Sequence, residues 1–200
     1  MLVLLSSCSL FGLQSEETPK YEVLVKEGDF EIRKYSSCII AQTTVLGNYD
    51  DSSTEAFKIL AGYIFGKNKT KLKISMTSPV EMKQESLKIG MTTPVQMKQE
   101  GSKFTMMFSM PAEYRLEDLP EPLDKRIIFK QIEPRIIASH QFSGLRSLKK
   151  NDKKVSELRE WLINHNQYRT SPEYSYAGYN PPWTIPFLRR NEVHINLELK

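Results

Sequence analysis

The chain has 200 residues, a formal net charge of +4, 40% hydrophobic residues and 26% charged residues. This length fits one domain with an appended segment, and the composition is that of an ordinary globular protein. The basic residues are spread along the chain, which argues against a nucleic-acid-binding protein. The densest basic run, residues 149–154, is interrupted by Asn151 and Asp152. We interpret it as a solvated helix start, with attraction to anionic ligands or lipid headgroups as the alternative.

The N-terminal segment resembles the signal of a bacterial lipoprotein. An apolar start leads into Leu5-Ser6-Ser7-Cys8, which is similar to a lipobox, where the chain is cut before the cysteine and the cysteine is lipidated. The segment before Cys8 is shorter than a complete secretory signal, which has a basic start and about 7–15 apolar residues. We therefore predict a truncated signal and flexible tether over residues 1–18, with lipidation at Cys8. The alternative is an apolar N-terminus with a free thiol.

Such an anchor predicts a lipid-attached protein of the bacterial cell envelope that faces the periplasm. The sequence contains no run of about 18 or more apolar residues, so no membrane-spanning helix is predicted. Cys8 and Cys38 are the two cysteines, too few for a disulfide-rich scaffold.

Strands and one helix are predicted in the first part of the domain. Residues 21–25 and 30–35 alternate in polarity, and Gly28-Asp29 between them is a hairpin signal. Residues 37–46 are rich in β-branched side chains and continue the sheet. Residues 50–66 change to helical spacing. Their apolar stripe consists of Ala56, Ile59, Leu60, Tyr63 and Ile64.

An internal repeat follows the helix. Residues 74–85 return as residues 89–100, so the two copies are offset by 15 residues. Each copy alternates in polarity and predicts a strand with a kink or bulge at its proline. Two copies are too few for a solenoid. We predict that the duplication forms an extra hairpin at the edge of the sheet, and that the domain folds without residues 74–88.

The second part of the domain repeats the order of strands, helix and strands. The second helix is predicted over residues 152–166. The strands are predicted over residues 104–110, 127–132, 134–142, 174–179 and 193–199. Two similar halves, each a sheet with one helix, indicate an α+β fold. We assign one domain to residues 19–200.

Several short motifs occur in one order along nearly the whole domain. They are Tyr21-Glu22-Val23, residues 30–35, Met76-Thr77-Ser78-Pro79-Val80, Phe108-Ser109-Met110-Pro111, Gln141-Phe142-Ser143-Gly144, Tyr179-Asn180-Pro181-Pro182-Trp183 and Arg189-Arg190-Asn191-Glu192-Val193. Together they resemble the SOUL heme-binding protein family, in particular a bacterial member. The resemblance implies a distorted antiparallel β-barrel that is flanked by two α-helices and built from two related halves.

The resemblance also implies a ligand, because animal members bind heme or another tetrapyrrole in an apolar pocket beside the first helix. Basic side chains lie near the propionates in those relatives. At Gly62 this chain departs from that pattern, since glycine supplies no cation. Seven residues are the candidate contacts to heme or a related tetrapyrrole: Phe57, Leu60, Ala61, Ile64, Tyr179, Trp183 and Arg189.

The residue types that could hold iron have structural interpretations. His140, His165 and His194 lack metal-ligand spacing, so we interpret them as surface or core histidines and predict no metal site. The eight methionines alternate along strands and are interpreted first as core residues. Members of the family can hold heme by apolar contact, so a missing axial ligand does not exclude binding.

The remaining candidates leave alternatives open. Arg189 and Arg190 could clamp propionates, but an ion pair with a carboxylate such as Glu192 is the preferred interpretation. Tyr179 and Trp183 could stack on a flat macrocycle or pack in a core. Cys38 is interpreted as a buried hydrophobic residue.

No catalytic residue is predicted, because the sequence contains no nucleophile elbow, phosphate-binding loop or zinc motif. We expect a monomeric binding protein for heme or a related apolar anion, with no nucleic-acid partner. The alternative is a scaffold that binds a protein or a lipid without any tetrapyrrole. A chelatase or dechelatase is a third possibility, and it would need ionisable groups inside the pocket.

Overall fold

The computed structural model describes residues 16–85, 102–180 and 183–200. They form an α+β fold in which two helices pack on one face of a nine-stranded antiparallel sheet. The elements are β1 (Tyr21–Glu27), β2 (Phe30–Tyr35), β3 (Cys38–Gly47), α1 (Tyr49–Ile64), β4 (Val80–Glu85), β5 (Ser102–Ser109), β6 (Ile128–Ile132), β7 (Arg135–Phe142), α2 (Leu148–Leu162), β8 (Tyr168–Gly178) and β9 (Asn191–Leu199). Within these ranges no helix is long and apolar enough to cross a membrane.

The sheet consists of two parts with the same connectivity. Its strand order is β1-β2-β7-β9-β8-β4-β5-β3-β6. In one part β3 leads through α1 to β4 and β5, and β5 lies between β3 and β4. In the other, β7 leads through α2 to β8 and β9, and β9 lies between β7 and β8. The two parts meet where β8 pairs with β4.

The first helix forms where its apolar stripe was predicted. Asn48 caps it, because its side-chain oxygen accepts a hydrogen bond from the backbone N–H of Asp51 at 2.9 Å. Gly66 follows the helix with a φ of +103°, a conformation that favours glycine at a helix C-terminus. The five residues of the stripe are buried in the core, and the helix packs on β3 and β5.

The second helix begins four residues before the predicted start. Ser147 caps it by accepting a hydrogen bond from the backbone N–H of Lys150 at 3.3 Å. Val155, Leu158 and Leu162 are buried, and the helix packs on β7 and β9. The basic run therefore does lie at a helix start, as its composition indicates.

Both faces of the sheet are covered in its central part. The face opposite the helices carries Arg33, Glu192 and His194, and all three are buried. Arg135 of β7 reaches Glu81 of β4 at 3.3 Å, although β9 and β8 lie between these strands. The sheet is therefore strongly curved with this face on its inside. No pairing of described residues joins β1 to β6, so closure of the expected barrel is not shown.

The first copy of the repeat is not at an edge of the sheet, which corrects the prediction of an edge hairpin. Its strand, β4, pairs with β5 on one side and β8 on the other. Ile74 and Met82 of this copy are buried in the core. The position of β4 is interior because this strand lies where the two halves of the sheet meet and pairs with a strand of each half. The second copy lies outside the described residues.

Deletion of residues 74–88 should still leave a cooperatively folding domain, because the second copy of the repeat can take the place of the first. Glu85 pairs with Lys103 in the β4–β5 hairpin. The 15-residue deletion brings Glu100 to the position of Glu85 and leaves Gly101-Ser102 as a two-residue turn, a favoured hairpin sequence. Thermal unfolding followed by circular dichroism should then show one transition. In the shortened chain Met97→Asp should abolish it, because Met97 takes the buried place of Met82. The prediction would be refuted if the shortened chain without Met97→Asp already lost the transition.

Candidate functional site

A cavity of about 310 Å³ lies where the two halves of the sheet meet. At this place β4 and β8 are joined by three residue pairs, from Val80↔Gly178 to Met82↔Tyr176. One wall comes from the first turns of α1 and contains Tyr49 and Phe57. The facing wall is formed by Met76, Val80, Met82 and Met106. The short pairing between the halves thus opens an apolar space beside α1.

Arg146 supplies the positive charge of this cavity. Its guanidinium lies against Gly178, where a β-carbon would clash with Nη1. The loop that carries Arg146 is fixed by the hydrogen bond from Asn191 Nδ2 to the carbonyl of Gly144, at 2.9 Å. To the residues that the structure describes, Arg146 makes no hydrogen bond or ion pair. The cavity therefore combines apolar walls with the guanidinium of Arg146, and Glu16 also belongs to its lining.

Tyr49 stays protonated at neutral pH in this environment. Burial raises the pKa of its hydroxyl, and the nearby charge of Arg146 only partly opposes that rise. The ring of Tyr49 lies edge-on to those of Phe104 and Tyr176, with centroids 5.9 and 6.1 Å away. Tyr49 thus offers the cavity an aromatic surface and a neutral hydroxyl.

A network of buried charges lies on the inner face of the sheet. Arg33 Nη1 contacts Glu192 Oε2 at 2.7 Å, and both side chains are buried. Glu192 also accepts hydrogen bonds from Tyr179 at 2.8 Å and from Arg190 at 2.7 Å. His194 Nε2 lies 2.7 Å from the same carboxylate. The carboxylate is therefore contacted from β2 and β9 and from the segment after β8.

These contacts decide the protonation of the network. Burial by itself would raise the pKa of Glu192, but the contacts with His194 and Arg33 hold it well below its usual range. Burial also opposes the charge of Arg33, yet the pairing with Glu192 raises its pKa. The pKa of Tyr179 is raised by burial and by the neighbouring charge of Glu192. The network therefore contains an ionised pair of Arg33 and Glu192 next to the neutral hydroxyl of Tyr179.

Comparison with known proteins places the chain in a family. Residues 16–196 match the family described as SOUL heme-binding protein. The chain belongs to this family. It is 30% identical to Heme-binding protein 1 of Xenopus tropicalis over 191 residues, which cover 92% of this chain and 93% of that protein. It is 28% identical to Heme-binding protein 2 of Homo sapiens over 183 residues, which cover 89% and 84%.

Solved structures support the fold. The C-terminal domain of EcmrR superimposes with a TM-score of 0.61 at 10% identity, over 90% of this chain and 99% of that one. A protein from Listeria innocua described as a hydrolase gives a TM-score of 0.58 at 10% identity, over 88% and 94%. At such identities the likeness concerns the fold alone.

The SOUL resemblance located part of the cavity in the sequence. Phe57, Tyr179 and Trp183 line the cavity. The other four candidate contacts do not. Leu60, Ala61 and Ile64 are buried in the core against the sheet, and Arg189 Nε donates to the carbonyl of Thr184 at 2.7 Å. Helix geometry explains this difference, because only the first turns of α1 extend over the junction of the halves.

Two further positions from the sequence analysis lie away from the cavity. Gly62 lies under the side chain of Lys67, whose Cδ would be 3.2 Å from a β-carbon at residue 62. The Cys38 thiol is partly buried, and burial raises its pKa. The interpretation of Arg190 as an ion-pair partner of Glu192 is confirmed at 2.7 Å.

The histidines of this SOUL protein do not face the cavity. His140 and His194 are buried, the first near the carbonyl of Lys154 and the second beside Glu192. His165 lies against Trp161, with ring centroids 4.2 Å apart. Across the described ranges no group of three or more His, Cys, Asp and Glu side chains could hold a metal ion.

Sequence reasoning missed Arg146 and Tyr49. The available signal for Arg146 was its position two residues after the Phe142-Ser143-Gly144 motif, which holds the loop against β9. Tyr49 lies one residue before the predicted helix, so it is not part of the apolar stripe that predicts this helix. The buried network was found only in part, because the sequence analysis paired Arg190 with Glu192 but did not include Arg33.

Glu192→Gln should strongly destabilise the domain. Removing one partner leaves Arg33 buried with less compensation, which typically costs about 3–5 kcal/mol in the free energy of unfolding. The folded pKa of Glu192 is depressed, so its contribution is fully present above the unfolded pKa of about 4.3 and is lost progressively as the pH falls from there through the folded pKa. Denaturant unfolding from pH 7 to pH 3 should therefore show a shallower acid dependence in Glu192→Gln.

The control is Glu121→Gln, which breaks an exposed pair with Lys69. Exposed pairs contribute little, so this variant should unfold like the parent protein at every pH. Equal stability of Glu192→Gln and the parent protein would contradict the role of the buried pair.

Proposed function

We propose that the protein is a non-enzymatic binding protein for heme, a related tetrapyrrole or another flat apolar anion. The observation that carries this proposal is the cavity beside α1, which combines apolar walls with the guanidinium of Arg146. Small-molecule sites are usually apolar spaces with a few polar groups that orient the ligand. An apolar anion matches both properties of this site.

The size of the cavity favours a ligand that is only partly enclosed. Its volume of about 310 Å³ lies at the lower end of the range of about 300–1,000 Å³ for ligand pockets. Arg146 and Trp183 are exposed side chains of its lining. A flat ligand would place its apolar part against Phe57 and the methionines and its carboxylates towards Arg146, where charge-assisted hydrogen bonds are strongest.

The lining residues bear on how heme would be held. Of the residue types that ligate heme iron, the cavity lining contains Tyr49, Tyr179 and three methionines. Both tyrosines are weak candidates, because burial raises the pKa of each hydroxyl and the hydroxyl of Tyr179 already donates to Glu192. Apolar contact and the charge of Arg146 would therefore hold the ligand, and the iron is not required for recognition.

Catalysis is disfavoured by the positions of the ionisable groups. Arg33, Glu192 and His194 are buried on the inner face of the sheet, and none of them lines the cavity beside α1. Family membership and the names of the animal relatives support binding as well. The second candidate function remains a protein- or lipid-interaction scaffold, and the ligand titration below separates the two.

Arg146→Ala should weaken hemin binding about tenfold, since a hydrogen bond to a charged group contributes about 1.5 kcal/mol. Gly178→Ala keeps the charge but displaces the guanidinium, so it should also weaken binding. Titrations would follow the Soret band and the emission of Trp183 in a Trp161→Phe background. Trp161 is the only other tryptophan.

Arg189→Ala is the matched variant, because Arg189 donates to Thr184 and does not line the cavity. It should bind hemin like the parent protein. A loss with Arg189→Ala equal to that with Arg146→Ala would move the site elsewhere. An absence of saturable binding to the parent protein would reject the tetrapyrrole and favour the scaffold.

We propose in addition that the protein is anchored to the bacterial envelope through a lipid on Cys8. The supporting observations are the lipobox-like sequence and the position of Glu16, which is part of the cavity lining. Seven residues lie between Cys8 and Glu16, and the eight steps from Cα to Cα span at most about 29 Å when extended. The anchor would therefore keep the cavity close to a bilayer.

Mass spectrometry of the protein purified from its native membranes should find an acylated Cys8 at the N-terminus. Cys8→Ser should then move the protein from the membrane fraction to the soluble fraction. An unmodified N-terminus that still contains Met1 would reject the anchor.

A further inference from the structure

Exposed apolar side chains lie on the two segments that carry Arg146 and Trp183 of the cavity lining. Leu145 is 63% exposed, Trp183 64% and Phe187 71%. They lie on two segments that bond to each other, because the backbone N–H of Gly144 donates to the carbonyl of Pro186 at 2.8 Å. We call Leu145, Arg146, Trp183 and Phe187 the rim surface. Large apolar side chains grouped in this way usually mark an interaction site.

Hydrogen bonds hold the backbone of the segment that carries Phe187 of the rim surface. Residues Pro186–Leu188 form a short 3-10 turn, in which Leu188 N–H donates to the carbonyl of Ile185. Arg189 Nε closes the same turn through the carbonyl of Thr184 at 2.7 Å. These bonds fix the backbone that carries Phe187, whose side chain is exposed.

Positive charge accompanies the apolar side chains. Arg146 lies between Leu145 and the start of α2, whose first turn contains Lys149 and Lys150 and no acidic residue. Lys150 donates to the carbonyl of Ser143 at 2.7 Å, so its charge stays beside the loop. An exposed tryptophan and phenylalanine next to several cations suit the headgroup region of an anionic bilayer.

We propose that the rim surface docks on an anionic lipid bilayer, with the opening of the cavity towards the headgroups. Trp183 and Phe187 enter the interfacial layer, and Arg146 with the lysines of α2 contacts lipid phosphates. Trp183 belongs both to the rim surface and to the cavity lining. A flat apolar anion dissolved in the bilayer can then enter the cavity without crossing water. This docking requires neither the lipid on Cys8 nor any bound tetrapyrrole.

The test uses the full chain with Cys8→Ser and Trp161→Phe, so that no acyl chain contributes and Trp183 is the single tryptophan. Vesicles of phosphatidylcholine with phosphatidylglycerol should shift the emission of Trp183 to the blue and carry the protein into the pellet. Vesicles of phosphatidylcholine alone should bind far less. At 1 M salt, where charges are screened beyond about 3 Å, binding to the anionic vesicles should fall.

Variants assign the binding to the rim surface. Phe187→Ala should lower the partition coefficient about tenfold, given the free energy of burying one large apolar side chain. Arg146→Ala should lower it about fivefold, the usual effect of one cation near an anionic membrane. Ile163→Ala is the matched control, because Ile163 is 73% exposed and caps the far end of α2, about 22 Å away along the helix.

No spectral shift with anionic vesicles would overturn the proposal, and so would equal binding to neutral vesicles. An equal loss with Ile163→Ala and Phe187→Ala would also overturn it, since binding would not be specific to the rim surface. A failed hemin titration leaves these results unaffected, so the two proposals can fail separately.

Discussion

The buried contact between Arg33 and Glu192 is the interaction on which the inner face of the sheet depends. It joins β2 to β9 across β7, and its desolvation is offset only because further groups contact both partners. Glu31 contacts Arg33 at 2.6 Å, and Tyr179 donates to Glu192. Tyr179 directly follows Gly178, the last residue of β8. The network therefore holds the chain next to the residue that contacts Arg146.

The apolar cavity and the buried charged network lie on opposite faces of the sheet. The helices cover one face, and the cavity opens there because β4 and β8 share only three residue pairs. On the inner face, Arg33 and His194 both contact Glu192. Tyr179 connects the two, since it lines the cavity while its hydroxyl bonds to Glu192.

Much of the fold could be predicted because its elements have strong local signals. The hairpin at Gly28-Asp29 and the apolar stripe of α1 both occur as predicted. The repeat misled the prediction, because sequence similarity between two copies carries no information on which strands β4 contacts. The site could be predicted only in part. Phe57 lies on a helix that the family motifs locate, whereas Arg146 reaches the cavity through a loop contact that has no sequence period.

The sequence by itself determined the family, the order of strands and helices and the apolar face of each element. These properties depend on residues that are close together in the chain or on motifs in a constant order. Only the tertiary structure decided that the polar face of β2 and β9 is buried. A period of two distinguishes the two faces of a strand, but it cannot show that a curved sheet encloses both. The tertiary structure likewise brought Arg146 to Gly178, because that contact depends on how the two halves of the sheet meet.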